Sequence, residues 1–225
     1  MLGPSPYFAD RRDAGRQLGV ALRTYRDEQP LVLALPRGGV PVGYEVAREL
    51  GAPLDVVFVR KIGAPGFPEL GLGAVVDGAN PQIVVNEEVL RDVRPPPGYI
   101  EAEAQRQLAE IERRRRLYRG DRPAEPVENR TVIVVDDGIA TGGSVKAVLR
   151  ALAQGRPRRR ILAVPVAPAE SVEALRREAE EVVCLTTPDP FYAVGAHYND
   201  FEQTRDEEVV DLLAMARSLM RGELG

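Results

Sequence analysis

Five short, nearly continuous apolar runs constrain this chain more than anything else in it: Leu31 to Leu35, Leu54 to Val59, Thr131 to Val135, Arg160 to Val166 and Glu181 to Leu185. A strand buried on both faces reads as such a run, whereas a half-exposed strand alternates. Segments of helical spacing separate the runs. Ala14, Leu18, Ala21, Leu22 and Tyr25 recur at helical intervals within Ala9 to Tyr25, and Pro41 to Leu50, Ser144 to Ala153, Ala169 to Ala179 and Arg205 to Met220 have the same character. Strands that need covering on both sides, alternating with helices able to cover them, predict an α/β fold with an open, mostly parallel sheet flanked by helices and right-handed crossovers.

The stretch from Lys61 to Asn80 breaks this rhythm. Gly63, Pro65, Gly66, Pro68, Gly71, Gly73 and Gly78 punctuate it, leaving only a weak strand at Leu72 to Val76, so a mobile loop or a hairpin is expected there. Gln82 to Val85 can pair with that strand. Asn86 can cap a short helix, Pro95-Pro96-Pro97 stops it, and Tyr99 to Tyr118 reads as a long charged helix. Residues 87–128 therefore read as a helical insertion into a single domain spanning 1–225, with no internal repeat.

Composition narrows the partner. With 44% hydrophobic residues in 225, one substantial core can form, and 30 Lys+Arg against 34 Asp+Glu, a net charge of −4, argue against nucleic acid or an anionic membrane as the general target. Arg113 to Arg116 and Arg156 to Arg160 read as solvated helix and turn charges, a local RNA patch being the sharper alternative. Cys184 is the only cysteine, which excludes an internal disulfide and a cysteine-built zinc site and fits a reducing compartment. No apolar run nears the roughly 18 residues of a spanning helix, and residues 1–15 lack a signal-peptide core. A cytoplasmic protein, neither exported nor embedded, acting on a small molecule is the expectation, with homo-oligomerisation left open.

The chemistry concentrates in Val132-Ile-Val-Val-Asp-Asp-Gly-Ile-Ala-Thr-Gly-Gly-Ser144. Two adjacent carboxylates close a buried strand, at the carboxyl edge where open α/β sheets bind ligands, and can accept from neighbouring sugar hydroxyls. Gly138 to Ser144 then turn into a helix, and Thr141, Gly142, Gly143 and Ser144 can offer backbone N–H groups and hydroxyls at its N-terminus to a phosphate. A sugar phosphate satisfies both halves. A Walker loop lacks its Gly-Lys-Ser/Thr ending, and a receiver domain lacks its phosphoacceptor aspartate near Val182 to Thr187. The bland alternative is an Asp-Asp-Gly turn with a helix cap.

These residues resemble the signature of the type I phosphoribosyltransferases. The resemblance implies that Asp136 and Asp137 hold the ribose hydroxyls of phosphoribosyl pyrophosphate, and that Gly138, Ile139, Ala140, Thr141, Gly142, Gly143 and Ser144 form the 5′-phosphate loop. Leu35-Pro36-Arg37-Gly38-Gly39 follows the first strand as the family's pyrophosphate loop does, often with a non-proline cis peptide. Arg37 supplies charge there, and Gly38 and Gly39 permit close backbone approach. Val59-Arg60-Lys61 resembles the strand end that several members aim at pyrophosphate, a solvated strand terminus being the alternative. Gly63 to Gly78 stands where the family carries a loop that closes over the reacting centre. The likeness runs from about Leu31 to Leu185, interrupted by Glu87 to Glu128.

The expected activity is transfer of phosphoribose from phosphoribosyl pyrophosphate to a small, nitrogenous, nucleobase-like acceptor, with pyrophosphate released. Arg37 and Asp137 are the candidate catalytic residues: Arg37 with Pro36, Gly38 and Gly39 on the leaving group, Asp137 orienting the ribose or accepting a proton. Magnesium would sit mainly on substrate oxygens, since the sequence holds no dedicated metal cage. A hood over residues 188–204 would select the acceptor, with one of Phe191, Tyr192, Tyr198 or Phe201 stacking and Asp189, Asn199 or Asp200 reading an edge, the alternative for each aromatic being a loop residue packed on the core. His197, the only histidine, reads as a hydrogen-bonded structural or hood residue, and Cys184 as a small core residue. Two other activities use the same pocket: a non-catalytic sensor of phosphoribosyl pyrophosphate or a nucleotide, and a hydrolase or phosphorylase of another phosphosugar.

Overall fold

A computed structural model describes residues 7–77 and 81–222; Gly78, assigned above to the closing loop, and residues 1–6 lie outside them. Five strands form one parallel sheet: β1 (Leu31–Ala34), β2 (Leu54–Val56), β6 (Thr131–Val135), β7 (Arg159–Val166) and β8 (Glu181–Thr186), in the order β2-β1-β6-β7-β8. Period-2 alternation divides the core between the sheet's faces. Val32, Ala34, Ile133, Val135, Ile161 and Ala163 join one buried cluster with α1 (Arg11–Ala21), α2 (Gly39–Leu50) and α7 (Asp206–Arg221). Leu31, Leu33, Val132, Val134, Leu162 and Val164 join the other, with α5 (Gly143–Gln154) and α6 (Ala169–Leu175). This is the open, helix-flanked sheet the sequence predicts.

The run Leu54 to Val59 is not one strand. β2 ends at Val56, and Val59 opens β3 (Val59–Ala64) of a second, antiparallel sheet with β4 (Phe67–Val76) and β5 (Gln82–Val85). The expected weak strand is thus ten residues long, because its glycines are strand positions. A Cβ on Gly63 would lie 2.7 Å from the Pro68 Cα, and one on Gly73 would lie 3.0 Å from Val85 Cα while running into the Val84 carbonyl. Close backbone crossing, not a turn, demands glycine there.

Asn86 caps α3 (Glu87–Val93) as expected, its side chain accepting from the Val89 N–H, and α4 (Tyr99–Arg119) follows the three prolines. One face of the second sheet carries Ile62 and Val75 into the cluster that holds Ala104, Ile111 and Tyr118 of α4, and the other carries Ala74 and Val76 against α5. A buried triad anchors the end of α4. Arg119 donates to Asp55 at 2.9 Å and to Asp77 at 3.1 Å, with all three side chains under 10% exposed.

Candidate functional site

Strand order fixes the place of the site. The chain leaves β1 toward β2 on one side, and its next parallel neighbour, β6, lies on the other side of β1. The crevice at their carboxyl ends is the switch point of an open α/β sheet. Both predicted turns open into it.

After β1, Pro36 to Gly38 swing into α2, the Gly39 N–H donating to the Leu35 carbonyl at 3.0 Å, and the Pro36–Arg37 peptide is cis. The turn lies directly on the acids. A Cβ on Gly38 would be 2.7 Å from Asp137 Cγ, and one on Gly39 would be 3.0 Å from Asp136 Cα, so no larger residue fits without displacing the carboxylates. Arg37 points toward α7, its Nη1 standing 3.7 Å from Asp206 Oδ1, which also accepts from the Tyr118 hydroxyl at 2.5 Å.

After β6, the Asp137 N–H donates to Asp136 Oδ1 at 2.9 Å. Burial and the neighbouring negative charge of Asp137 push the Asp136 carboxyl well above its ordinary range. Burial raises Asp137 as well, but an Arg11 hydrogen bond and charge oppose it. Arg11 Nε donates to Asp137 Oδ2 at 2.7 Å. The loop from Gly138 to Gly142 is held by two bonds, the Ile139 N–H donating to the Val166 carbonyl at 2.9 Å and the Ser171 hydroxyl to the Ala140 carbonyl at 2.7 Å. Gly142 caps α5 at φ 74°, a left-handed conformation that glycine adopts at little cost. Gly143 has open space where a Cβ would stand. The helix N-terminus is thus presented to the crevice.

Arg60 and Lys61 part company across β3. Arg60 Nε donates to Gln107 Oε1 of α4 at 3.0 Å, on the insertion side. Lys61 faces the other way. With Thr141, Gly143, Ser144, Lys146 and Arg150 it lines a cavity of about 250 Å³ between the second sheet and the start of α5. Lys146 and Arg150, which the sequence did not single out, both lean on Glu178, at 3.7 and 2.7 Å.

The segment after β8 is split in the same manner. Tyr192 is 76% exposed. Phe191 packs on His197, ring centroids 5.5 Å apart, and Tyr7 stacks on that imidazole at 5.7 Å. Tyr198 takes the core-packing alternative and not the acceptor-stacking one: it is 5% exposed, wedged between Phe8 and Phe201, and its hydroxyl donates to the Asp137 carbonyl at 2.5 Å. Its ring underpins the acidic turn. His197 is buried, its Nε2 lacks a hydrogen-bond partner among the described residues, and burial lowers its proton affinity. The half-buried Cys184 thiol donates to the Thr186 carbonyl at 3.2 Å and is pushed up by burial, which disfavours the reactive thiolate.

Arg11 is the residue that sequence reasoning missed. It lies 126 positions from Asp137, outside any motif, and only the docking of α1 beside the sheet brings it in. Among the described residues no group of three or more His, Cys, Asp or Glu is arranged to hold a metal, and no helix is long and apolar enough to cross a membrane.

Comparison with known proteins agrees with this geometry. The model of the phosphoribosyl transferase domain matches residues 12–200. A Mycobacterium tuberculosis protein, from strain H37Rv and alike from strain CDC 1551, carries a provisional phosphoribosyl transferase name and is 44% identical over 209 residues, 93% of this chain and 47% of the relative. The chain thus spans about half the length of the curated relatives it matches. A crystal structure of TT1426 from Thermus thermophilus superimposes with a TM-score of 0.82 at 48% identity, covering 92% of this chain and 98% of that one. With both loops of the signature meeting at the β1/β6 switch point and the family model spanning most of its length, the chain belongs to the phosphoribosyltransferase family, with the type I fold.

Proposed function

We propose that the chain transfers phosphoribose from phosphoribosyl pyrophosphate to a small nitrogenous acceptor in the cytoplasm. The observation that carries this reading is the seating of the Pro36–Gly39 turn directly on Asp136 and Asp137, at 2.7 Å from a Gly38 Cβ to Asp137 Cγ. A ribose on the acids then has a pyrophosphate-holding turn on one side and the phosphate loop on the other. The 1-pyrophosphate would lie on the Arg37 to Gly39 backbone, with Arg37 turned from Asp206 onto it. The 5′-phosphate would lie on the N–H groups of Thr141 to Ser144, with Lys61 facing it across the cavity in place of the pyrophosphate contact suggested by its position in the sequence. Arg60, bonded to Gln107, takes no part.

The reaction breaks the bond from the ribose anomeric carbon to pyrophosphate and forms one from that carbon to the acceptor nitrogen, through a ribose that gathers positive charge. Asp136 and Asp137 offer hydrogen-bond partners to the ribose hydroxyls and fix its orientation. Magnesium would sit mainly on the substrate's own oxygens, where it would neutralise the leaving pyrophosphate. The exposed Tyr192 is the aromatic of the 188–204 segment free to meet an acceptor.

Calorimetric titration of phosphoribosyl pyrophosphate with magnesium into wild type and an Asp136→Asn, Asp137→Asn double variant tests the donor site. Saturable binding lost in the variant is expected, followed by pyrophosphate release when candidate bases are supplied. Binding without release with any acceptor would favour the sensor. Free phosphate with no new glycosidic bond would favour the hydrolase.

A further inference from the structure

Arg11 precedes by one residue the span that the family model matches, so the family signature gives it no task. Its surroundings are nonetheless built. Nε donates to Asp137 Oδ2 at 2.7 Å, Nη1 donates to the Glu202 carbonyl at 2.6 Å, and the guanidinium carbon lies 3.8 Å from the centre of the Phe201 ring. The side chain is 12% exposed. A Cβ on Gly38 would stand 3.2 Å from Arg11 Nε, so the guanidinium also borders the pyrophosphate turn. Phe201 packs on Tyr198 at 4.9 Å, and Tyr198 donates to the Asp137 carbonyl. Asp137 is therefore gripped at its carboxylate by α1 and at its backbone by the segment after β8.

We propose that Arg11 is a positioning residue of the donor site: seated by Phe201 and Glu202, its guanidinium fixes the Asp137 carboxylate toward the ribose and links the C-terminal segment to donor binding. This rests on reading Asp136 and Asp137 as the ribose-holding pair. Only a planar fork can bond Asp137, bond Glu202 and lie on Phe201 together. Lysine could keep the charge but not the three contacts.

The titratable and charged groups that face Asp137 are Asp136, Arg11 and Tyr198, and of these a substitution at position 11 removes only the Arg11 contact. Two readouts on wild type, Arg11→Gln and Arg11→Lys form the test: phosphoribosyl pyrophosphate affinity with magnesium across pH, and ligand-free titration of the Asp137 carboxyl by carbon NMR. Arg11→Gln should lose about tenfold or more in affinity, since a bond to a charged group is removed. It should also raise the Asp137 midpoint, so that binding fails at a higher pH than in wild type. Arg11→Lys should restore the midpoint and only part of the affinity, and remains the informative variant if the glutamine protein does not fold. Unchanged affinity in Arg11→Gln, with or without a moved midpoint, would overturn the proposal and leave the donor site standing. Wild-type affinity in Arg11→Lys would overturn the fork. A folded wild type that binds no phosphoribosyl pyrophosphate would sink the donor reading and the role of Arg11 in it.

Discussion

Replacing Gly38 by alanine puts the contact between the two halves of the site under direct strain. The new methyl would overlap Asp137 Oδ2, stand 2.7 Å from Asp137 Cγ and press to 3.2 Å on Arg11 Nε, two side chains that are bonded to each other at 2.7 Å. Overpacking of this kind costs about 1–3 kcal/mol, against a gain of about 0.4–1 kcal/mol because alanine restricts the unfolded chain. The net is a loss on the order of 1–2 kcal/mol. At this chain length that lowers the melting temperature by roughly 2–4 °C per kcal/mol. Because the methyl yields only if Asp137 leaves Arg11, phosphoribosyl pyrophosphate affinity should fall with stability. Gly143→Ala is the matched control: its Cβ meets nothing within 4 Å, and its melting temperature should stay near wild type. Urea denaturation and calorimetric titration of both variants decide the matter. Gly38→Ala with wild-type stability and affinity would refute the close seating of the turn on the acids, and with it the reason both 38 and 39 are glycine.

Asp136 holds its proton more tightly in the fold than in the unfolded chain, where its value is near 3.8, so its contribution to stability is complete below that pH and is lost as pH rises through the raised folded value. Asp136→Asn should accordingly gain stability over wild type as urea unfolding is repeated from acid toward neutral pH, while losing the ligand; a constant difference would contradict the raised proton affinity. Arg119→Leu leaves Asp55 and Asp77 buried without their cation and should cost about 3–5 kcal/mol in chemical denaturation, with Asp77→Asn recovering part; a change under about 1 kcal/mol would mean the triad is not buried as described. Lys61→Ala should weaken phosphoribosyl pyrophosphate binding severalfold while Arg60→Ala leaves it unchanged, and the reverse pattern would contradict the facing of β3.

The sequence by itself determined the parallel sheet and both turns of the candidate site. Thr131 to Val135 is a strand buried on both faces, and such a run followed by Asp-Asp and Thr-Gly-Gly-Ser encodes its own local geometry: apolar residues that must be covered, then acids and glycines at the open strand end. The Asn86 cap and the Tyr99 helix were legible for the same reason, since caps and helical spacing act within a few residues. What lay beyond that range was decided by tertiary structure. Glycines 63 and 73 carry the same letters whether they bend a chain or admit a crossing strand, and only the Pro68 and Val84 backbones against them settle which. Arg60 and Lys61 are adjacent cations, and pleating sends one to α4 and the other to the cavity at the start of α5. Tyr198 could equally have faced an acceptor, until Phe8 and Phe201 closed on its ring. Arg11 is one arginine among many in the sequence. Its meeting with Asp137 depends on α1 packing across the finished sheet, a contact between distant segments that no local pattern encodes.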